Sequence, residues 1–193
     1  MSATIAVPLH HSHRAYDPAV REPSDEKLAS QAARGDAAAF ELLVVRYQDR
    51  LYTLALRITS SEADARDCVQ EGLISAWRAL DKFRGDARFS TWIYRIVVRK
   101  AYDVIERRKR IPQPVEEVPA VSTSIDSSAS IDLMDALAAL EPDFRTVITA
   151  CDIVGMSMDE TAELLDLPAG TVKSRLHRAR AQLAHQLDPE RAR

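Results

Sequence analysis

Between Pro23 and Pro112 the chain carries no proline, and within that span the apolar residues return at intervals of three and four. Such a stretch is suited to amphipathic helices, because proline would end or kink them and strands would alternate every second residue. Phe40, Leu43, Val44, Tyr47, Leu51, Leu54, Ala55 and Ile58 form one stripe, with Asp36 after Gly35 as its N-cap. After "TSSE" a second helix has Ala65, Val69, Leu73, Ala76, Trp77 and Leu80 on its buried face. "FRGDARFS" then interrupts the pattern with a glycine and a capping serine. A third helix is predicted from about Thr91 to Arg110, with Trp92, Ile93, Ile96, Val97, Ala101, Val104 and Ile105 on its apolar side. Each stripe must be buried against another, so residues 24–110 are predicted to form a compact bundle of three or four helices.

The composition changes abruptly at "IPQPVEEVPAVSTSIDSSAS", which is rich in Pro, Ser and Thr and has neither aromatics nor positive charge. Residues 111–131 therefore read as a linker. Beyond it "MDALAAL" opens a second helical set over residues 132–187, with Pro142 suited to the first turn of a helix. Residues 1–23, with three prolines and three of the five histidines, read as a disordered arm, and 188–193 as a tail. The expected fold class is all-α: two small helical domains joined by a flexible acidic linker. A length of 193 residues leaves room for two such modules.

Several function classes are disfavoured at this stage. No apolar run approaches the roughly 18 to 20 residues of a bilayer crossing, and the N-terminus lacks a basic start and a long apolar run, so the reading is cytoplasmic. Cys68 and Cys151 form no C-x-x-C pair and read as buried reduced thiols, with a redox lock between them a remote alternative. "HHSH" reads as a polar tail rather than a metal site. With no phosphate-cradling glycine loop, no histidine and carboxylate set at metal spacing and no nucleophile motif, neither an enzyme nor a cofactor or metal is expected.

The net charge of −3 hides opposed blocks. Residues 84 to 110 hold nine Lys/Arg against three acids, 111 to 144 hold seven acids and no base, and 171 to 187 hold four bases and no acid. Segregation of this kind implies two polyanion-facing surfaces separated by an acidic connector. In the last block Ser157 is placed to cap a short helix with Thr161, Ala162, Leu164 and Leu165 facing inward, and Asp166 to Ala169 make a turn. A longer helix follows, with Val172, Leu176, Ala179 and Leu183 inward and Lys173, Ser174, Arg175, His177, Arg178 and Arg180 on the outward arc. This pattern fits a helix-turn-helix, whose second helix enters the major groove, where Arg grips guanine edges or phosphates. A solvated charged face is the plainer reading, but the lack of any acid to pair with those bases weighs against it.

"PAGTVKSRLHRARAQL" closely resembles the signature of the fourth conserved region of bacterial RNA polymerase sigma factors of the extracytoplasmic-function group. "DARDCVQEGLISAWRALDKFRGDARFSTWIYRIVVRKAYDVIERRKR" resembles that group's second conserved region, so the resemblance spans about residues 24 to 187. It implies core RNA polymerase as a partner through its largest-subunit coiled coil and its flap. Promoter DNA would be the second partner, melted at the −10 element and duplex at the −35 element, and an anti-sigma factor the third.

By that resemblance the loop Phe83, Arg84, Arg88, Phe89 and Ser90 would form the pocket for an extruded base, with Trp92, Tyr94, Arg95, Arg99 and Lys100 facing DNA. Rings for stacking and cations for the phosphate chain are what a single-strand binder needs. Trp92 lies on the apolar stripe and reads equally as core, while Tyr94 and Tyr102 sit nearer the polar side. Many relatives carry a polar uncharged residue at the place of Arg99, so base preference stays open. Asp64, Asp67, Gln70 and Glu71, three and four apart on the second helix, would dock the polymerase coiled coil. Thr171, Lys173, Ser174, Arg175, His177 and Arg178 would read the −35 duplex. The acidic linker, including Glu116, Glu117 and Asp126, resembles the connector that the family threads toward the polymerase active centre. Two rivals remain: a polymerase-independent helix-turn-helix regulator, which leaves the first module unexplained, and a sigma-like decoy, which has no need of the bases.

Overall fold

A computed structural model describes residues 23–83, 85, 87–110 and 128–187. Arg84, nearly all of the expected arm and linker, and the tail lie outside the described residues. Among the described residues all regular structure is helical.

The first domain begins with α1 (Asp25–Ala32), which the apolar pattern did not announce. Ser24 caps it by accepting from the Lys27 N–H at 3.3 Å, and its Leu28, Ala29 and Ala32 are buried. Helix α2 (Ala37–Thr59) starts where expected, since the Asp36 carboxylate accepts from the Ala39 N–H at 3.1 Å. It buries Leu43, Tyr47, Leu51, Leu54, Ala55 and Ile58 and ends at Ser60 in the left-handed conformation, φ 54°. Helix α3 (Glu62–Ala79), capped by Ser61, turns Ala65, Cys68 and Ala76 into the core and closes in a 3₁₀ turn with Leu80 buried. Helix α4 (Phe89–Arg110) crosses α3 closely at Gly72, where an added Cβ would lie 2.6 Å from Val97 Cγ2.

Helix α4 departs from the expected register of burial. It starts at Phe89 rather than near Thr91, and its buried residues are Phe89, Thr91, Ile93, Tyr94, Val97, Val98 and Ala101, with Trp92 and Ile96 half-buried. The reason is that α4 is packed by α1, α2, α3 and a helix of the second domain, so its covered arc is wider than one stripe.

The second domain comprises α5 (Ser128–Ala139), α6 (Pro142–Ile148), α7 (Met158–Leu165) and α8 (Ala169–Leu187). Helix α5 begins within the stretch expected to be linker. Pro142 occupies the first turn of α6, which runs on through one wider π turn, Thr149–Ile153. Leu137, Leu140, Val147, Ile148, Ala162, Val172, Leu176 and Ala179 form this domain's core.

The two domains are packed together, an arrangement the sequence left open. Ala150 and Leu164 of the second domain belong to the apolar cluster of the first, with Val154, Met156 and Leu165 half-buried against it. Polar contacts reinforce the seam: the Tyr102 hydroxyl lies 3.2 Å from Asp143 Oδ1 and 3.1 Å from Thr146 Oγ1. Burial, more than these neighbours, raises the Tyr102 pKa to about 12, so the phenol stays protonated.

Candidate nucleic-acid and partner surfaces

The second domain builds its helix-turn-helix from local signals. Ser157 and Glu160 form a reciprocal capping box: the Ser157 Oγ accepts from the Glu160 N–H at 3.1 Å, and Glu160 Oε2 accepts from the Ser157 N–H at 2.9 Å. The Ser157 N–H and the Ser157 hydroxyl, both donating to Glu160 Oε2 at 2.9 Å, hold this carboxyl below the usual carboxylate range, with Arg88 adding to the effect. Helix α7 stops at Asp166 in the left-handed conformation, φ 55° and ψ 46°, which a short polar side chain tolerates. The chain then turns directly into α8. Val172, Leu176 and Ala179 are buried and Leu183 half-buried, as the pattern required.

The opposite arc of α8 exposes Lys173, Ser174, His177 and Arg178, with Thr171 half-buried at its start. Arg175 and Arg180 behave differently. Arg175 pairs with Asp143 at 2.9 Å, and Arg180 grips Asp152 through two bonds of 2.9 and 2.6 Å. The acids missing from α8 itself are thus supplied to two of its four bases by α6 and the turn after it. The freely presented cations of the helix are Lys173 and Arg178.

On the first domain the expected site residues divide. Phe89 and Tyr94 were expected to face DNA, and in this closed arrangement they are core: Phe89 is 1% exposed and Tyr94 3%, each ring edge-on to Tyr47 at 5.7 and 6.0 Å. Tyr94 points inward because α4 turns that side toward α2. Phe83 and Trp92 are half-buried and complete an aromatic cluster, with ring centroids 5.2 Å apart and Trp92 5.7 Å from Phe89. Ser90 is half-buried beside them.

Several bases on α4, and Arg88 just before it, are engaged. Arg88 pairs with Glu160 at 2.8 Å, and Arg95 donates to the Glu163 carbonyl, so both reach α7 of the other domain. Lys100 pairs with Glu71 at 3.2 Å, and Arg99 is exposed. The acidic row on α3 is correspondingly mixed. Asp67, Gln70 and Glu71 are exposed, while Asp64 is half-buried and salt-bridged to Arg108. Cys68 lies buried beneath that row, and burial together with Asp64, Glu71 and Asp67 raises its thiol to about 11, which keeps it protonated and unreactive at neutral pH. No group of three or more metal-binding side chains occurs among the described residues, and none of their helices is long and apolar enough to cross a membrane.

Sequence reasoning missed Arg145. It is 8% exposed and donates to the carbonyls of Arg57 and Ile58 and to Ser60 Oγ in the first domain, and to the carbonyls of Ala138 and Leu140 in its own. No local pattern marks it, since most of its acceptors are backbone carbonyls and its first-domain partners are far away in sequence.

Two helical domains, one a helix-turn-helix with an exposed basic arc and the other a bundle with aromatics and cations gathered on one helix, define a bipartite DNA-binding factor. The family models bear this out: Sigma-70 region 2 matches residues 43–111 and Sigma-70, region 4, matches 130–183. The ECF RNA polymerase sigma-E factor of Escherichia coli (strain K12) is 36% identical over 184 residues, 86% of this chain and 95% of that protein. The RNA polymerase sigma-H factor of Pseudomonas aeruginosa is 34% identical over 186 residues, 87% of this chain and 96% of its own. Among solved structures, CnrH in complex with the cytosolic domain of CnrY matches with a TM-score of 0.68 and 33% identity, covering 86% of this chain and 98% of the other. The sigma factor RpoE in complex with the anti-sigma factor NepR, from Bartonella quintana, matches at 0.65 and 27%, covering 78% and 98%. The chain belongs to the extracytoplasmic-function group of the sigma-70 family.

Proposed function

We propose that this protein joins core RNA polymerase in the cytoplasm, directs it to a set of promoters and helps to open the DNA there, RNA synthesis itself remaining the polymerase's chemistry. The observation that carries the reading is the pairing, in one chain, of an exposed basic arc on α8 with an aromatic and basic helix in a separate domain. Residues 24–110 serve as the docking and −10 module and residues 132–187 as the −35 module. Thr171, Lys173, Ser174, Arg175, His177 and Arg178 meet the −35 duplex. Phe83, Arg84, Arg88, Phe89, Ser90, Trp92, Tyr94, Arg95, Arg99 and Lys100 receive the melted −10 strand. For Phe89 and Tyr94 this role requires α4 to repack when the domains separate. Asp64, Asp67, Gln70 and Glu71 dock the largest-subunit coiled coil, where charge complementarity sets encounter and register. The solved neighbours bound to CnrY and NepR support an anti-sigma partner for this chain as well.

Run-off transcription with purified core polymerase on a genomic promoter library tests the reading. Discrete starts that require both proteins are expected. A chain that binds duplex promoters alone and yields no starts with core enzyme would be a polymerase-independent regulator instead.

A further inference from the structure

The seam between the domains covers the helix assigned to melted DNA. Helix α7 lies on α4, with Glu160 on Arg88 at 2.8 Å and the Glu163 carbonyl on Arg95. A strand laid along α4 would need those guanidinium groups and that space. The duplex-reading arc of α8 is left open by the same packing.

Arg145 sits where this packing can be made or broken. Its Nη1 donates to the Arg57 and Ile58 carbonyls, both at 3.3 Å, and to Ser60 Oγ at 2.5 Å, all at the C-terminal end of α2. Its Nη2 donates at 2.7 Å to the carbonyls of Ala138 and Leu140, at the end of α5. Final-turn carbonyls have no partner within their own helix and carry the negative end of its dipole, so one cation caps a helix in each domain. No carboxylate among the described residues lies within ion-pair distance of Arg145, so the helix ends alone balance its charge. Burial lowers its pKa accordingly. Tyr102, reaching Asp143 and Thr146, adds a second polar tie on the same seam. When the domains part, water can take up every one of these donors and acceptors, which makes the tie reversible.

We propose that Arg145 is the latch of a closed state in which the second domain masks the single-strand-binding face of α4, so that the free chain refuses melted DNA until its domains are drawn apart. This rests on the promoter-directing reading given above. Apparent affinity for the masked ligand falls by the fraction of chains that are open, so loosening the latch raises affinity without adding a contact.

The test uses the full chain without polymerase. Small-angle scattering reads closure, and fluorescence anisotropy with a labelled single-stranded oligonucleotide of −10-like sequence reads access. Arg145→Met is expected to enlarge the radius of gyration and tighten oligonucleotide binding by about tenfold, the size expected when hydrogen bonds to a charged group are lost from one state. Because Arg145 also caps α5, two variants on the first-domain side provide an independent arm. Ser60→Gly deletes one acceptor at a backbone position glycine readily adopts, and Tyr102→Phe deletes the second tie. Each is expected to shift both readings in the same direction by about threefold. Unchanged scattering and affinity in Ser60→Gly and Tyr102→Phe, or opening without tighter oligonucleotide binding, would overturn the proposal. If opened variants bind the oligonucleotide but direct no start with core polymerase, the promoter reading fails and the latch stands.

Discussion

Helix α8 presents Lys173, Ser174, His177 and Arg178 to solvent, whereas Arg88, just before α4, and Arg95 on it are committed to α7, and Lys100 and Arg108 to acids of α3. The two helices have comparable chemistry, yet among the described residues α8 leaves Lys173 and Arg178 unpaired and ties Arg175 and Arg180 only within its own domain, whereas α4 has a base tied across to the other domain. The ligands proposed for them, duplex for α8 and a melted strand for α4, account for the difference. A duplex offers its groove and phosphates undeformed, so a rigid helix with charged tips can stay exposed at little cost. A melted strand must be received on aromatic faces, and an open apolar surface in water invites wrong contacts. Keeping Phe83, Phe89 and Trp92 stacked on one another, with Arg88 and Arg95 beside them tied to α7, avoids that exposure.

The largest effect should come from separating free cations from tethered ones on α8. In the reconstituted holoenzyme, Lys173→Ala and Arg178→Ala are each expected to weaken binding of −35 duplex DNA by about 1–3 kcal/mol, roughly ten- to hundredfold. Arg175→Ala and Arg180→Ala, whose guanidinium groups are already held by Asp143 and Asp152, should cost less than about tenfold. Competition binding across a salt series measures both sets. Equal losses would show that the acids release their bases on DNA and that the division drawn here belongs only to the free chain.

What the sequence disclosed follows the range of the interactions. Asp36, Ser157 and Pro142 act on backbone groups within a few residues, so their places could be read directly. The faces of α2 and α3 were legible because their buried residues fall on the apolar stripes that the sequence itself carries. Helix α4 was misread because its surroundings are nonlocal: with α1, α2, α3 and α7 about it, Tyr94 turns to Tyr47 and Trp92 is left at the margin. Charge counts met the same limit. The acid-free α8 finds Asp143 and Asp152 across the fold, and the row on α3 loses Asp64 to Arg108. Arg145 gave no signal because carbonyls carry no sequence mark.

Two glycines sharpen the contrast in packing. Gly72 lies at the α3–α4 crossing, with Val97 Cγ2 2.6 Å from the place of a Cβ and Val97 itself wholly buried. Gly72→Ala gains about 1 kcal/mol of helix propensity. Against that stands an overpacking cost of about 1–3 kcal/mol, because a β-branched neighbour has no other rotamer to adopt, so a net loss of up to about 2 kcal/mol is expected. Gly170, near the start of α8, has nothing within 4 Å of an added Cβ. Gly170→Ala should therefore stabilise, by up to about 1 kcal/mol. Denaturant unfolding of both variants checks the pair, and a like sign for the two would mean that the α3–α4 crossing gives way more easily than its geometry implies.

The smallest effect concerns two caps with almost the same backbone. Ser60 at φ 54° and Asp166 at φ 55° end α2 and α7 in the left-handed conformation. Glycine relieves steric cost at either position, by up to about 1 kcal/mol, and returns part of that as extra freedom in the unfolded chain. For Asp166→Gly the balance should be a gain within about 0.5 kcal/mol. Ser60→Gly begins with the same backbone relief but also removes the hydroxyl that accepts from Arg145 at 2.5 Å. A hydrogen bond to a charged group outweighs the relief, so a net loss of about 1 kcal/mol is expected. Thermal unfolding of the two variants side by side isolates that contact, because the backbone term is common to both; equal shifts would show that the Ser60 hydroxyl adds nothing to the hold between the domains.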